Sequence, residues 1–399
     1  MTMAIDESAL DIAEVQKSLT RRGLKGWLLY DFRGLNEVAR QLFGLHAHHI
    51  TRRWFYYIPD SGNPVQLAHQ IEKTNIPKLA GETRFYGGLQ TLRERLRELL
   101  PSNGPVAMEY SPMNDVPTVS FVDGGTLELI RSFNVSVVTS AELIQEFLAR
   151  WTPEQLQTHK TAASVLYNLQ QQAFKLIEKA LKSNQRINEY EVQQFILSGM
   201  ADQGCITDSA PIVAVNANAS NPHYAPSLET HSAIQRGDVI LIDLWCKQDR
   251  PGAVFGDITW MGYAGKQAPA KVQEVFTLVR DARDLAVSFI KSNFGKGAPL
   301  QGYRVDEQVR QYITQGGYGE YFFHRTGHSL GTEIHSRGVN IDSFETRDSR
   351  ELVPGLAFSI EPGVYLPEFG IRSEINVYMG ANGPEVHTEP QKELVLLDV

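Results

Sequence analysis

Four acidic residues in the second half of the chain stand inside strand-like apolar stretches, where a carboxylate without a partner is costly. They are Asp243 in LIDLW, Asp257 in GDITW, Glu361 in SIEPGVY and Glu374 in RSEIN. Burial pushes such groups toward the neutral form, so each needs a cation, hydrogen bonds or a metal ion. Arg372 stands two residues before the fourth acid and can neutralise one carboxylate, but not four.

The stretch HRTGHSLGTEIH holds three of the chain's 11 histidines, His324, His328 and His335. In a helix the first two would share a face at the four-residue spacing that suits a common metal ion. Two glycines in the stretch disfavour that helix, and no glutamate follows the first histidine. The sequence therefore does not predict a helical pair of histidine ligands.

A pair of divalent cations would satisfy the acids together, because bridging carboxylates share two ions. Four carboxylates, one neutral imidazole and a bridging hydroxide carry about −5 against +4 from the ions, which is close to neutral. Each acid taken alone is interpreted more simply as half of an ion pair. The acids and histidines together favour a dinuclear metal site.

The signatures IDL followed by DIT, GHSLGTEIH, IEPGVY and GIRSE resemble those of the pita-bread metallopeptidases of the M24 type, in both order and local context. That group contains aminopeptidase P, prolidase, creatinase and methionine aminopeptidase. The resemblance covers the chain from about residue 150 to its end, and the preceding part resembles the group's creatinase-type N-terminal domain. It implies the metal ligands Asp243, Asp257, His328, Glu361 and Glu374.

The resemblance also implies how these ligands divide between two ions. Asp243 binds one ion, His328 and Glu361 bind the other, and Asp257 and Glu374 bridge them. Oxygen-rich coordination with a single imidazole suits Mn²⁺, with Co²⁺ or Zn²⁺ as alternatives. The ions would activate a bridging water as hydroxide, and Glu361 would accept the proton of that water.

Other polar residues receive roles from the same resemblance. His335 would donate a hydrogen bond to the substrate carbonyl oxygen as the tetrahedral intermediate forms. His223, in the turn-rich loop NANASNPHYAP, would line the substrate pocket and assist proton transfer to the leaving nitrogen; otherwise it is a solvated loop histidine. Arg372 would support the ligands and the substrate site. His324 is left with either a supporting or a purely structural role.

Substrate choice depends on a further arginine. Arg347 stands fourteen residues before Glu361 and Arg350 eleven before it, which resembles the prolidase pattern of an arginine that binds the substrate's C-terminal carboxylate. This predicts an Xaa-Pro dipeptidase acting on proline-containing dipeptides. The alternative for Arg347 is a solvated loop arginine. The alternative functions are an aminopeptidase P acting on longer Xaa-Pro peptides, a metal-free creatinase-like hydrolase and a non-catalytic binding module.

The chain departs from the family pattern around the first two ligands. Thirteen residues separate Asp243 from Asp257, where the family usually has ten. Val254 replaces a usual tyrosine, and Trp260 replaces a frequent arginine. Loss of the tyrosine hydroxyl predicts an altered rate or metal preference, with all five ligands retained.

The elements that must position these residues fall into two domains. Residues 1–150 alternate short apolar strands with amphipathic helical patterns, which predicts a mixed α/β domain. A Thr-Pro-Glu helix start near residue 152 opens the second domain, predicted over 151–399, where glycine-punctuated strands are mixed with long helical stretches. This order predicts an α+β fold rather than a regular parallel sheet.

Composition and charge limit the kinds of partner that the protein is expected to bind. A net charge of −8 and a pI near 5.8 argue against sequence-independent nucleic-acid binding. No apolar run approaches a membrane span, and the acidic start MTMAIDESAL does not resemble a signal peptide, so a cytoplasmic protein is predicted. The family resemblance implies a homodimer. Cys205 and Cys246 are predicted to be buried; the triplet His46, His48 and His49 is compatible with metal binding, an exposed loop or a contact with a partner's active site.

Overall fold

The computed structural model describes residues 10–399, so most of the acidic start on which the localisation was predicted lies outside the described residues. The chain divides into two compact units, Met1–Leu148 and Ala149–Val399. None of the helices within residues 10–399 has the length and apolar character that a bilayer span requires. Helices and predominantly antiparallel strands occur together, which confirms the predicted α+β class.

The N-terminal unit is built on one six-stranded sheet flanked by helices. The strands are β1 (Gly26–Asp31), β2 (Trp54–Pro59), β3 (Val65–His69), β4 (Glu82–Tyr86), β5 (Pro105–Met108) and β6 (Ser136–Thr139); the helices are α1 (Ile12–Arg21), α2 (Glu37–Phe43), α3 (Leu89–Leu99), α4 (Gly124–Arg131) and α5 (Ala141–Ile144). The strand order is β4-β3-β2-β1-β5-β6. Strand β2 runs antiparallel to β1 and β3, and the other three pairings of the sheet are parallel.

A buried carboxylate links the elements of this unit. Glu109 follows β5 and accepts hydrogen bonds from Trp27 Nε1 at 2.7 Å, Asn36 Nδ2 at 2.8 Å and Ser140 Oγ at 3.1 Å. Burial raises its pKa to about 7, although the three donors favour the ionised form. The group is therefore set to change charge near neutral pH inside a folded core.

The C-terminal unit combines long helices with three sheets. The strands are β7 (Cys205–Ile206), β8 (Ile212–Val215), β9 (Val239–Gln248), β10 (Gly256–Tyr263), β11 (Ala357–Ile360), β12 (Gly363–Tyr365), β13 (Gly370–Arg372), β14 (Ile375–Gly380), β15 (Gly383–Val386) and β16 (Val395–Leu396); the helices are α6 (Pro153–Lys182), α7 (Glu189–Asp202), α8 (Ala270–Asn293) and α9 (Gly302–Gln315). Strand β9 pairs with β7, β8 and β10, and β10 also pairs with β16. The other two sheets contain β11-β14-β15 and β12-β13.

Helix α6 begins where the sequence predicts it. Thr152 caps its N-terminus by accepting a hydrogen bond from the Gln155 N–H, the Gln155 side chain returns a bond to the cap, and Pro153 occupies the first turn. The helix buries one face against the β9–β10 hairpin, in a core that includes Leu166, Phe174, Ile240 and Ile258. This packing holds rigid the two long strands that carry the first two candidate ligands.

Candidate metal centre

The β9–β10 hairpin places Asp243 and Asp257 on one face of the sheet. Asp243 lies opposite Thr259, and Asp257 lies opposite Trp245. Because residues two apart on a strand share a face, the two aspartates are diagonal neighbours. Both are buried.

The β11–β14 pair brings the two glutamates together. Ile360 pairs with Ile375, so Glu361 directly after β11 and Glu374 directly before β14 lie at the same end of that pair. Pro362 interrupts the strand-like text IEPGVY because it has no N–H for a ladder hydrogen bond. The two glutamates therefore stand at strand ends, whereas Asp243 lies in the middle of β9.

His328 lies on an irregular segment, as the glycines of its motif predict. Its carbonyl accepts a bond from Ser359 N–H at 2.8 Å, and its own N–H donates to Ser359 Oγ at 3.0 Å. A Cβ atom on Gly327 would lie 1.9 Å from the Ser359 carbonyl oxygen, so the segment reaches β11 this closely only with glycine there. The imidazole Nε2 is 3.5 Å from Asp257 Oδ2 and 3.4 Å from Glu361 Oε1.

The buried oxygens at this point fit a cation. Asp243 Oδ1, Asp257 Oδ1 and Glu374 Oε1 have no hydrogen-bond partner within the described part of the chain. Atoms of Asp257, His328 and Glu374 that could coordinate a metal ion all lie within 4.8 Å of one another. Since unpaired buried carboxylate oxygens are costly, the donor set is suited to a divalent metal ion.

Proton equilibria support the same interpretation. The pKa values of Asp257 and Glu374 both lie well above the usual range for a carboxyl group. Burial is the largest cause, and repulsion from neighbouring carboxylates is the next. Burial also raises the pKa of Glu361 and lowers that of His328. The imidazole is therefore neutral, with a lone pair to share, and cations would relieve the repulsion among the acids.

Arg372 supports the ligands from behind. Its Nη2 donates to Asp243 Oδ2 at 2.5 Å, its Nη1 to the Tyr365 hydroxyl at 3.0 Å and its Nε to Thr259 Oγ1 at 3.2 Å. Thr259 in turn donates to Glu374 Oε2 at 2.9 Å. These bonds fix one carboxylate oxygen of Asp243 and one of Glu374, and they leave the other oxygen of each residue for a cation.

His324 acts on this network through Tyr365. Its Nδ1 lies 2.7 Å from the Arg325 carbonyl oxygen, which only accepts, so Nδ1 carries the proton. Its Nε2 then accepts from the Tyr365 hydroxyl at 2.7 Å. Burial lowers the pKa of His324 to about 3, which keeps the ring in this neutral form. The structure thus gives His324 a positioning contact.

A cavity of about 380 Å³ opens onto the four acids and His328, a size that suits a small molecule. His223 and His335 both line it, and the His335 ring lies edge-on to the His328 ring with 4.3 Å between centroids. The structure therefore brings both predicted substrate histidines to the candidate ligands. The charged and histidine side chains of the lining are His223, Asp243, Asp257, His324, Arg325, His328, His335, Glu345, Glu361, Arg372 and Glu374.

The structure does not bring Arg347 into this cavity. Its guanidinium carbon lies 4.0 Å from the centre of the Tyr303 ring, and Nη1 is 4.0 Å from the Glu307 carboxylate. The side chain is 60% exposed, because this stacking on helix α9 directs it toward solvent. Arg350 is buried in a two-bond ion pair with Asp348 and is also absent from the cavity wall.

Other residues that the sequence singles out lie away from the cavity. Cys205 and Cys246 are buried free thiols, as predicted. Val254, at the expected tyrosine position, is buried with Trp151 and Leu330 in an apolar cluster. The histidine triplet lines a depression in the N-terminal unit and belongs to no candidate metal cluster among residues 10–399: His46, His48 and His49.

Sequence reasoning missed Glu189, which organises the loop that carries His223. Glu189 is fully buried at the start of α7 and accepts bonds from Val215 N–H at 2.7 Å and from Asn218 Nδ2 at 2.9 Å. It also accepts from the Tyr224 hydroxyl and from Ser232 N–H, both at 2.6 Å. One carboxylate thus binds both ends of the loop and the neighbour of His223. No local signal distinguishes it from an ordinary first-turn acid.

Comparison with known proteins identifies the family of the chain. Residues 159–381, more than half of the chain, match metallopeptidase family M24. The chain belongs to metallopeptidase family M24. The match contains all five candidate ligands, and it confirms the predicted pita-bread family.

Individual relatives of this M24 protein are peptidases. The uncharacterized peptidase YqhT of Bacillus subtilis is 31% identical over 271 residues, 66% of this chain and 69% of that protein. The Xaa-Pro dipeptidase of Lactobacillus delbrueckii subsp. lactis is 29% identical over 227 residues. That alignment covers 57% of this chain and 56% of the dipeptidase, so the chain matches little more than half of that relative.

Solved structures share the fold along nearly the whole chain. Dipeptidase PepE from Mycobacterium ulcerans has a TM-score of 0.73 at 21% identity, covering 99% of this chain and 100% of that one. Prolidase from Thermococcus sibiricus has a TM-score of 0.63 at 23% identity, with coverage of 99% and 100%. X-Pro aminopeptidase from Thermotoga maritima has a TM-score of 0.60 at 20% identity, with coverage of 96% and 99%. These likenesses confirm the predicted two-domain pita-bread architecture.

Proposed function

We propose that this M24 metallopeptidase is a metal-dependent Xaa-Pro dipeptidase. The observation that carries the proposal is the meeting of five candidate ligands at one cavity, with three buried carboxylate oxygens that lack donors among the described residues. Relatives named Xaa-Pro dipeptidase, at 29–31% identity, support the substrate class.

Two divalent ions, Mn²⁺ in the first place, would occupy this centre. Asp243 would hold one ion and His328 with Glu361 the other, while Asp257 and Glu374 would be shared. Hard carboxylate oxygens with one imidazole favour Mn²⁺ over a metal that prefers several nitrogen or sulfur ligands. When bound, the ions lower the pKa of a water molecule and polarise the scissile carbonyl.

The chain's own residues would then handle protons and orientation. Glu361 Oε1 accepts a bond from Ser359 Oγ at 3.1 Å, which fixes a partly buried carboxylate of raised pKa that would accept a proton from the attacking water. His335 would donate to the carbonyl oxygen as negative charge develops there. His223, held next to Tyr224, would deliver a proton to the leaving nitrogen. An Xaa-Pro amide has no N–H, so recognition cannot depend on that donor.

The test is hydrolysis by protein loaded with Mn²⁺ after treatment with a chelator. We expect cleavage of Ala-Pro, little cleavage of Ala-Pro-Ala, and no activity before Mn²⁺ is returned. Asp257→Asn should abolish both hydrolysis and Mn²⁺ binding measured by calorimetry. The matched change Asp249→Asn, at an exposed position beyond the end of β9, should alter neither.

Two outcomes would contradict the proposal in different ways. Brisk cleavage of the tripeptide alone would make the protein an aminopeptidase P. Failure to bind Mn²⁺, Co²⁺ or Zn²⁺, with no peptidase activity, would favour a metal-free hydrolase or a binding module. The homodimer and the cytoplasmic location stay predictions, which sedimentation and cell fractionation would test.

A further inference from the structure

Two arginines line the cavity, and they differ in their bonding. Arg372 is 3% exposed and binds Asp243, Tyr365 and Thr259. The guanidinium of Arg325 makes no hydrogen bond or ion pair with any side chain or carbonyl of residues 10–399. Arg325 is therefore the cation of this wall that is available to a ligand.

The backbone of Arg325 is fixed even though its guanidinium is not bonded. Its N–H donates to Glu345 Oε1 at 3.0 Å, and the carbonyl of the next residue, Thr326, accepts from Glu361 N–H at 2.7 Å. Arg325 thus stands on the same wall as Glu361 and His328. Its charge reaches both, since after burial it further lowers the pKa of His328 and opposes the rise in the pKa of Glu361.

The cavity wall carries charges of both signs. The half-buried Arg325 acts electrostatically on His328 and His335, and Glu345 beside its backbone also lines the cavity. A dipeptide is a zwitterion, and its ammonium and carboxylate groups would be oriented by these charges. The carboxylate would be drawn to the guanidinium and the ammonium to the acids.

We propose that Arg325 binds the free α-carboxylate of the substrate's C-terminal residue and so restricts the site to dipeptides. This inference rests on the proposed function. A guanidinium matches a carboxylate with two parallel N–H···O bonds. In a tripeptide the carboxylate lies about 3.5 Å farther along the chain, beyond the position that a dipeptide presents.

The test compares Ala-Pro with Ala-Pro-amide, which lacks only the carboxylate charge. For the natural protein loaded with Mn²⁺ we expect a clear preference for Ala-Pro. Arg325→Ala should raise KM for Ala-Pro about 10- to 100-fold, the effect of losing a charge-assisted pair, with kcat changed less than about threefold. KM for the amide should stay constant, and Arg325→Lys should recover part of the preference because it restores the charge without the fork.

Parallel variants make the result specific. Arg347→Ala tests the carboxylate role that the sequence pattern predicts for that residue, and Arg250→Ala is the matched change at an exposed turn. A loss of acid preference in Arg347→Ala and not in Arg325→Ala would overturn the inference. So would equal kinetics of the natural protein toward Ala-Pro and its amide. Because the Arg325 side chain has no bonds to lose, an unchanged melting temperature should accompany its kinetic effect.

Failure of the proposed function would be recognised separately. If no Xaa-Pro substrate is cleaved, calorimetry of the Mn²⁺-loaded protein with Ala-Pro and with Ala-Pro-amide measures carboxylate recognition directly. Tighter binding of the acid that disappears in Arg325→Ala supports the role of Arg325 without hydrolysis. Equal binding of acid and amide would refute it.

Discussion

The substitution Glu189→Gln would test the carboxylate that organises the His223 loop. The substitution keeps the shape of Glu189 but replaces one acceptor oxygen by an NH₂ donor and removes the charge. If the remaining oxygen faces Val215 and Asn218, the NH₂ group faces the Tyr224 hydroxyl and the Ser232 N–H. The tyrosine hydroxyl can rotate and accept, but the backbone N–H cannot.

The expected cost follows from these contacts. A buried N–H left without an acceptor costs about 1–3 kcal/mol, and the loss of charge from the other bonds adds about 1–2 kcal/mol. Glu189→Gln should therefore lower the free energy of unfolding by about 2–5 kcal/mol. For a unit of this size, that corresponds to a fall on the order of 5–15 °C in the melting temperature of the C-terminal unit.

Differential scanning calorimetry measures the effect, and Glu191→Gln provides the control. Glu191 stands two residues along the same helix and closes its capping box through an exposed bond, a role that glutamine fills equally well. The control should melt within about 2 °C of the natural protein. If Glu189→Gln melts there too, the carboxylate does not hold the loop and the reasoning fails.

Two further predictions concern the core of each unit. Because burial raises the pKa of Glu109 from 4.5 to about 7, the folded protein retains a proton that the unfolded chain releases. This stabilisation, on the order of 3 kcal/mol, is present below about pH 4.5 and is lost as the pH rises through about 7. Hydrogen exchange of the β1 amides measures how the free energy of unfolding of this unit changes with pH, and Glu109→Gln should make that change smaller. The same pH dependence in the variant and the natural protein would refute the prediction. Gly327→Ala would force a Cβ to within 1.9 Å of the Ser359 carbonyl oxygen, so it should weaken Mn²⁺ binding by at least about tenfold in calorimetry; an unchanged affinity would show that the segment shifts freely.

The candidate ligands were predictable because each lies in a short motif whose residues already suggest an unusual position. An acid in LIDLW or a glycine-flanked histidine conflicts with its surroundings, and that conflict is visible in one sequence. The start of α6 was predictable for a similar reason, since Thr152 and Pro153 are local signals. The α+β class was predictable from the mixture of strand and helix patterns along the chain, and the structure confirms it.

Residues whose role depends on distant partners could not be found in this way. Glu189 looks like any acid in a first helical turn, and its donors come from 26 to 43 positions farther along. Arg325 and Arg347 both stand in irregular segments, where no periodicity indicates the direction of a side chain. Only the structure shows that one lines the cavity and that the other lies over the Tyr303 ring.

The placement of the Glu189 contacts has a consequence for engineering. All its bonds to the loop lie at Val215, Asn218, Tyr224 and Ser232, and the tip at 225–231 closes on itself through a bond from Ser227 N–H to Thr230 O. Changes within the tip would therefore leave the bonds of Glu189 in place. Ala225, at the start of the tip, lines the cavity, so substitutions there would reshape the cavity while the contacts of Glu189 still hold the base of the loop.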